Sequence, residues 1–270
     1  MLIDTHCHLD AAEFDADRDH IVCAAFENGV SGIVVPAVTR AYFDTVIKLC
    51  QDYPNCVYAL GVHPMYVEQS ALVDIDALRT YVQNHQPVAI GEIGLDYFLS
   101  TPSTHPENIK LQTHFFVEQL KIAQAYDLPV ILHVRHAIDD VLKQLRKHKV
   151  CGGIAHAFNG SMQQAEQFMA LGFKLGFGGA MTYSRALKIR ALATQLPLEA
   201  IVLETDAPDI PPEWLGNAGR NSPAELMKIA QVLADLRQVD VAQVLDITGA
   251  NAIKIMPKLA DLCTPVNALH

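Results

Sequence analysis

The sequence predicts an α/β protein: a single (β/α)8 barrel of the TIM type with extra C-terminal helices. Three observations carry that reading. From residue 1 to about 210, short β-branched runs alternate with longer amphipathic segments, the pattern of repeated βα units on a parallel sheet. Eight such runs, each with a helical pattern behind it, favour a closed barrel over an open doubly wound sheet. Polar residues recur at the C-terminal ends of the runs, where a barrel gathers its active groups. A chain of 270 residues, half of them hydrophobic, can bury such a core as one domain over residues 1–270.

Taken in order, the expected strands are residues 2–8, 32–38, 57–62, 88–92, 130–134, 153–156, 173–177 and 201–204. Helical patterns cover residues 18–27, 42–50, 75–84, 109–125, 138–148, 162–170 and 185–195, and residues 224–236 and 241–252 form a closing pair. The first run leads into His6-Cys7-His8. In an extended strand residues i and i+2 share a face, so the two imidazoles aim at one point, with Cys7 turned away into packing. Residues 95–108 are the longest irregular stretch, and their place after the fourth strand puts them over the barrel mouth as a partial lid. No internal repeat, low-complexity tract or Pro/Gly-rich linker divides the chain.

Composition narrows the function. Lys plus Arg number 20 against 30 Asp plus Glu, a net charge of −10, so the surface as a whole repels a polyanion and a nucleic acid must be gripped locally. No run of Lys or Arg supplies a basic stripe, which favours short or single-stranded ends, or small phosphoesters, over long duplex. No basic segment precedes an apolar one at the N-terminus, and no apolar run approaches the ~20 residues of a membrane span. A soluble cytoplasmic protein without a membrane or an obligate protein partner is expected. Cys7, Cys23, Cys50, Cys56, Cys151 and Cys263 contain no C-x-x-C pair and read as reduced, mostly buried residues.

The strand ends carry the chemistry. His133 and His156, each closing an apolar run, read individually as core histidines or as ligands. Glu92 and Asp206 are harder to dismiss, because a carboxylate after a buried strand costs several kcal/mol unless paired or metal-bound. Together His6, His8, Glu92, His133, His156 and Asp206 make a donor set suited to borderline divalent cations. Six donors exceed the needs of one tetrahedral ion and point to two divalent cations (Zn, Mn, Ni or Mg) about 3.5–4 Å apart. Glu92 is the expected bridge, with His6, His8 and Asp206 on one ion and His133 and His156 on the other.

Seven segments carry a family resemblance. They are Asp4-Thr5-His6-Cys7-His8-Leu9-Asp10, Gly61-Val62-His63-Pro64, Gly91-Glu92-Ile93-Gly94-Leu95-Asp96-Tyr97, Leu128-Pro129-Val130-Ile131-Leu132-His133-Val134-Arg135, His156-Ala157-Phe158-Asn159-Gly160-Ser161, Glu204-Thr205-Asp206-Ala207-Pro208 and Arg220-Asn221-Ser222-Pro223. Nearly end to end, the chain resembles the TatD family of metal-dependent hydrolases within the amidohydrolase superfamily. Residues 186–190 and 209–211 look closest to its YjjV branch. The resemblance implies a barrel, a divalent cation site on the six donors above, and phosphodiester hydrolysis in DNA as for TatD itself. His136 after Arg135, and Ser222 where many members are acidic, depart from the family pattern without touching a ligand, and leave substrate choice open.

The expected mechanism is attack on phosphorus by a metal-activated hydroxide, with Asp206 as general base. Arg135 either braces a phosphate oxygen or pairs with Asp139 at the barrel rim. Arg220 and Asn221 are candidate substrate clamps or ordinary loop-to-barrel bonds, and the resemblance favours the clamp. His63 holds a leaving group or phosphate at the site edge, or caps a loop. Asp4 orients a ligand or bonds a backbone amide. Asp96 and Tyr97 contact substrate from the lid or pack it, and Trp214 stacks a base or anchors its loop. Two other functions stay open: an amide, ester or lactone hydrolase, and a metal-stabilised binding scaffold without activity.

Overall fold

The computed structural model describes residues 1–98, 101 and 103–263. Its centre is eight parallel strands, each hydrogen-bonded to the next in chain order: β1 (Leu2–Asp4), β2 (Val30–Pro36), β3 (Cys56–Leu60), β4 (Ala89–Asp96), β5 (Val130–Arg135), β6 (Gly153–Ala155), β7 (Phe173–Phe177) and β8 (Ile201–Leu203). Amides at the ends of β1 and β8 draw the outer strands together, Thr5 N–H donating to Leu203 O at 3.1 Å and Asp206 N–H to His6 O at 2.8 Å. The result is a nearly closed (β/α)8 barrel.

Helices α1 (Arg18–Glu27), α2 (Phe43–Asp52), α3 (Val73–His85), α4 (Pro106–Ala125), α5 (Ile138–Lys147), α6 (Met162–Ala170), α7 (Leu187–Gln195) and α8 (Leu226–Arg237) follow the strands in turn, and α9 (Val241–Ile255) is extra. Local chemistry fixes several starts. Ser161 and Gln164 form a reciprocal capping box on α6, Asp240 caps α9, and Pro106 occupies the first turn of α4.

Two apolar layers hold the barrel. Ile3, Val34, Ala59, Ala89, Ile131, Ile154 and Val202, one from each of seven strands, cluster inside it with Ala252, Met256 and Leu259. These last three come from α9 and the turn after it, and so plug the N-terminal end of the barrel. A larger annulus, including Phe14, Phe43, Phe115, Phe116, Phe168 and Leu233, packs strands against helices. With the other end sealed, the C-terminal strand ends are left as the open face. Among the described residues no helix is long and apolar enough to cross a membrane.

Strand boundaries depart from expectation where the site begins. β1 stops at Asp4, so the histidine pair lies beyond it. There the chain shares its hydrogen bonds between neighbours, Thr5 N–H to Leu203 O, Cys7 N–H to Val34 O and His8 N–H to Ala207 O. That alternation keeps residues 5–8 extended without a ladder, and the convergence of His6 and His8 survives. β4 runs to Asp96 rather than ending at Glu92, because Gly94, Leu95 and Asp96 pair with His133, Val134 and Arg135. The expected lid therefore loses its first two residues to a strand and its last three to α4; residues 99, 100 and 102 lie outside the described residues. So do residues 264–270 of the expected domain.

Candidate metal centre

Glu92 is the hub of the open face. It lies in β4, 1% exposed, with five imidazoles around its carboxylate. His6 Nε2 and His8 Nε2 stand 3.1 and 3.5 Å from Oε2. His63 Nε2, His133 Nδ1 and His156 Nε2 stand 3.3, 2.9 and 3.0 Å from Oε1. Asp206 brings Oδ1 to 3.5 Å from His6 Nε2 and 3.6 Å from His8 Nε2, and those two nitrogens are 3.3 Å apart. The His6 and His156 rings stack at 3.9 Å.

These separations fit a metal. With bonds of ~2.0–2.1 Å, neighbouring ligand atoms around a tetrahedral ion lie about 3.3 Å apart, longer than a good hydrogen bond. The donors form three overlapping groups, each within 4.8 Å: His6, His156 and Asp206; His6, His8 and Glu92; His63, Glu92 and His133. Glu92 belongs to two of them, as a bridging carboxylate would. In these groups His156 sits with His6 and Asp206, where the expectation set it with His133, and His63 stands beside His133.

Burial sets the protonation of the donors. It takes the His6 imidazole down to about 3, helped by the His156 charge, and the His63 imidazole down to about 4. His6 is therefore neutral, the form a cation takes, while His63, whose Nδ1 accepts the Met65 N–H, carries its proton on Nε2 and donates it toward Glu92. Burial also pushes Glu92 up, but the charge of His156 and the hydrogen bond with His133 outweigh it and hold the carboxyl well below its usual range. Asp206 is raised by burial to about 6, although His156 and His8 pull the other way.

Two carboxylates that the sequence left out of the ligand set stand behind the histidines. Asp96 Oδ2 meets His133 Nε2 at 2.8 Å, and its Oδ1 accepts the Phe98 N–H. Glu204 Oε1 accepts the Ala157 N–H and lies 3.7 Å from His156 Nδ1. Gly176 makes room for it: a Cβ there would fall 2.1 Å from Glu204 Oε2. Such partners orient metal-binding imidazoles. The signal for Asp96 was its spacing of four from Glu92, one face of a strand if the strand runs that far. Asp4 joins the two ends of the sheet, Oδ1 accepting the Thr205 and His6 amides and Oδ2 the Thr205 hydroxyl at 2.6 Å.

Several candidate substrate contacts lie elsewhere. His63 is inside the donor cluster rather than at its edge, because Met65 N–H donates to its Nδ1 and turns Nε2 toward Glu92. Arg220 is committed to a bidentate pair with Asp17 at 2.8 and 2.6 Å and to Glu13 O, which ties its loop to α1 and corrects the clamp expectation. Asn221 is fully buried, its amide donating to Thr205 O, Asp209 O and Ile210 O while Oδ1 accepts the Ser222 N–H. With every polar atom engaged it clasps the loop around Asp206 and has nothing left for a substrate. Trp214 donates to Glu225 and Tyr97 to Asp140, so both anchor loops. Arg135 forms no ion pair with Asp139 among the described residues; its guanidinium carbon lies over Phe98, 3.5 Å from the ring centroid. Cys7 is buried, packed away from the donors.

A parallel barrel with imidazoles and carboxylates pooled at the C-terminal strand ends is the architecture of a metal-dependent hydrolase. The model of the TatD related DNase family matches residues 3–257, and the chain belongs to that family. It is 40% identical over 250 residues to the uncharacterized metal-dependent hydrolase YjjV of Escherichia coli K12, covering 90% of this chain and 94% of the relative. It is 30% identical over 270 residues to the human deoxyribonuclease TATDN3, covering 97% and 96%. The crystal structure of the TatD homologue YjjV from Escherichia coli K12 superposes with a TM-score of 0.88 at 38% identity, over 95% of this chain and 98% of that one.

Proposed function

We propose that this protein is a phosphodiesterase of the deoxyribonuclease type, dependent on two divalent cations and acting in the cytoplasm on short or single-stranded ends. One observation carries the reading. Arg135 follows His133 by two residues at the mouth, makes no ion pair among the described residues, and is held in place by the Phe98 ring. A guanidinium without an ion pair beside a cation centre suits a phosphate oxygen. The similarity to human deoxyribonuclease TATDN3 supports the same substrate class.

His6, His8, Glu92 and Asp206 would hold one cation and His133 and Glu92 the other, with His156 beside the first and His63 donating from Nε2 to Glu92. When bound, such a pair acidifies water and offsets negative charge on the group being cleaved. Asp206 accepts at its carboxylate the proton released as water attacks phosphorus; the P–O bond opposite the attacking oxygen breaks, and the departing alkoxide takes up a proton and leaves as the alcohol. Arg135 orients a non-bridging oxygen, and Asp96 keeps the His133 ring turned toward Glu92. The free thiols Cys7, Cys23, Cys50, Cys56 and Cys151 suit a reducing compartment.

The competing reading is amide, ester or lactone hydrolysis. It draws support from Arg220, whose commitment to Asp17 leaves fewer cations for a polyanion. Arg135→Glu separates the two. Loss of a charge-assisted bond predicts a fall of about 10–100-fold in kcat/KM for bis(p-nitrophenyl) phosphate and for single-stranded DNA under Mn or Zn. Phosphodiester turnover that is unchanged by the substitution and exceeded by lactone turnover overturns the proposal.

A further inference from the structure

Away from the metal centre, the outer wall of the barrel carries a basic face. Residues 141–170 hold four Lys and Arg against one acid, Glu166, in a chain whose net charge is −10. The four cations, Lys143, Arg146, Lys147 and Lys149, lie on α5 and the segment that follows it, and all four are exposed. Val141, Leu142 and Leu145 turn inward on the same helix, so the 3.6-residue repeat sorts a broken run into one cationic side. That side corrects the expectation that no basic stripe exists.

The face differs from an ordinary solvated helix. Several cations elsewhere are tied to acids, as in Arg18–Asp15, Lys48–Asp52, Lys110–Glu107 and Arg220–Asp17. None of the four at α5 makes an ion pair among the described residues. The acids that open the helix are engaged, Asp139 by the Gln164 amide and Asp140 by the Tyr97 hydroxyl. The helix dipole favours Arg146 and Lys147 in the last turn, but it does not account for Lys143 before that turn or for Lys149 beyond the end. From α6, Gln167 meets the Arg146 guanidinium, an amide where an acid would have cancelled the charge.

The face also leads away from the mouth. α5 begins at Ile138, three residues after Arg135. At a rise of ~1.5 Å per residue, Lys143 and Lys147 stand about 8 and 14 Å along the helix. At ~3.4 Å per nucleotide, those distances correspond to about two to four nucleotides of one strand. A polyanion repelled by the molecule as a whole is held where the charge reverses locally.

We propose that the outer face of α5 docks the phosphate backbone of a single-stranded DNA whose end lies at the metal centre. The position of that end rests on the function proposed above; the docking of the strand rests on the basic face.

Anisotropy titration of the metal-loaded protein with a labelled thymidine dodecamer and a labelled dimer tests it. Both probes carry phosphorothioate backbones, which keep their charge and resist cleavage. The dodecamer should bind about tenfold or more tightly than the dimer at about 0.1 M salt, because only the longer strand reaches the lysines. Lys143→Gln combined with Lys147→Gln removes about two phosphate contacts, so the plot of log affinity against log salt should flatten by about 1.4 and dodecamer affinity should fall about 25-fold. Dimer affinity and turnover of bis(p-nitrophenyl) phosphate should not change. A dodecamer that binds no better than the dimer, or that loses nothing in the variant, overturns the docking face. Poly-glutamate of matching charge that competes as well as the dodecamer overturns it in favour of an acidic protein partner. A dodecamer preference that the substitutions abolish, without turnover of any phosphodiester, supports the face while removing the phosphodiesterase reading.

Discussion

Asn221→Ala distinguishes a loop clasp from a substrate contact. The side chain is fully buried and makes four hydrogen bonds: to Thr205 O at 2.8 Å, Asp209 O at 3.0 Å and Ile210 O at 3.2 Å, and from Ser222 N–H at 2.9 Å. Two amide hydrogens serve three carbonyls, so the three donor contacts count as about two bonds. Each bond is worth roughly 1 kcal/mol net, which puts the loss at about 2–4 kcal/mol once the stranded groups are included. At about 2–4 °C per kcal/mol for a chain of this size, Tm should fall by about 4–16 °C in a calorimetric scan of the metal-free protein. Because the same bonds fix the backbone on both sides of Asp206, kcat should fall more than KM rises. A variant with an unchanged Tm and a raised KM would refute the clasp and return Asn221 to the substrate.

Glu92→Gln removes the shared acceptor of five imidazoles, so bound metal measured by elemental analysis should drop below one equivalent, with a loss of affinity beyond the ~10–100-fold typical of outer partners. Gly176→Ala drives a methyl into Glu204 and takes that carboxylate from its place behind His156; a metal titration should read a loss of about 10–100-fold with the barrel still folded. The Arg220 guanidinium holds the Asp17 carboxyl below its ordinary value. A depressed folded pKa gives stability that is present above the unfolded value of about 3.9 and lost as pH falls through the folded one. Urea unfolding between about pH 5 and pH 2 should therefore show a shallower acid limb for Asp17→Asn than for the unaltered protein.

The eight strands and all nine expected helices were legible because β-branched runs and 3.6-residue periodicity are local properties, and α1 and α6 carry the expected bounds. His6, His8, Glu92, His133, His156 and Asp206 were legible because the end of a parallel strand in a barrel has one address, the C-terminal rim. His63 stood at such an end too, yet the choice between edge and cluster turned on its Nδ1 accepting from Met65 N–H, a detail of loop geometry. Asp96 was obscured because β4 is longer than its apolar run, its last residues held by pairing with β5 rather than by their own propensity.

The sequence by itself determined the barrel and the donor types at its rim, since alternation and chain order decide which residues reach that face. Only the tertiary structure decided which partner each polar side chain takes. Arg220 meets Asp17, Asn221 meets three carbonyls and Arg135 meets a ring because loops far apart in the chain arrive at one place, and a hydrogen bond a few ångströms long depends on that arrival.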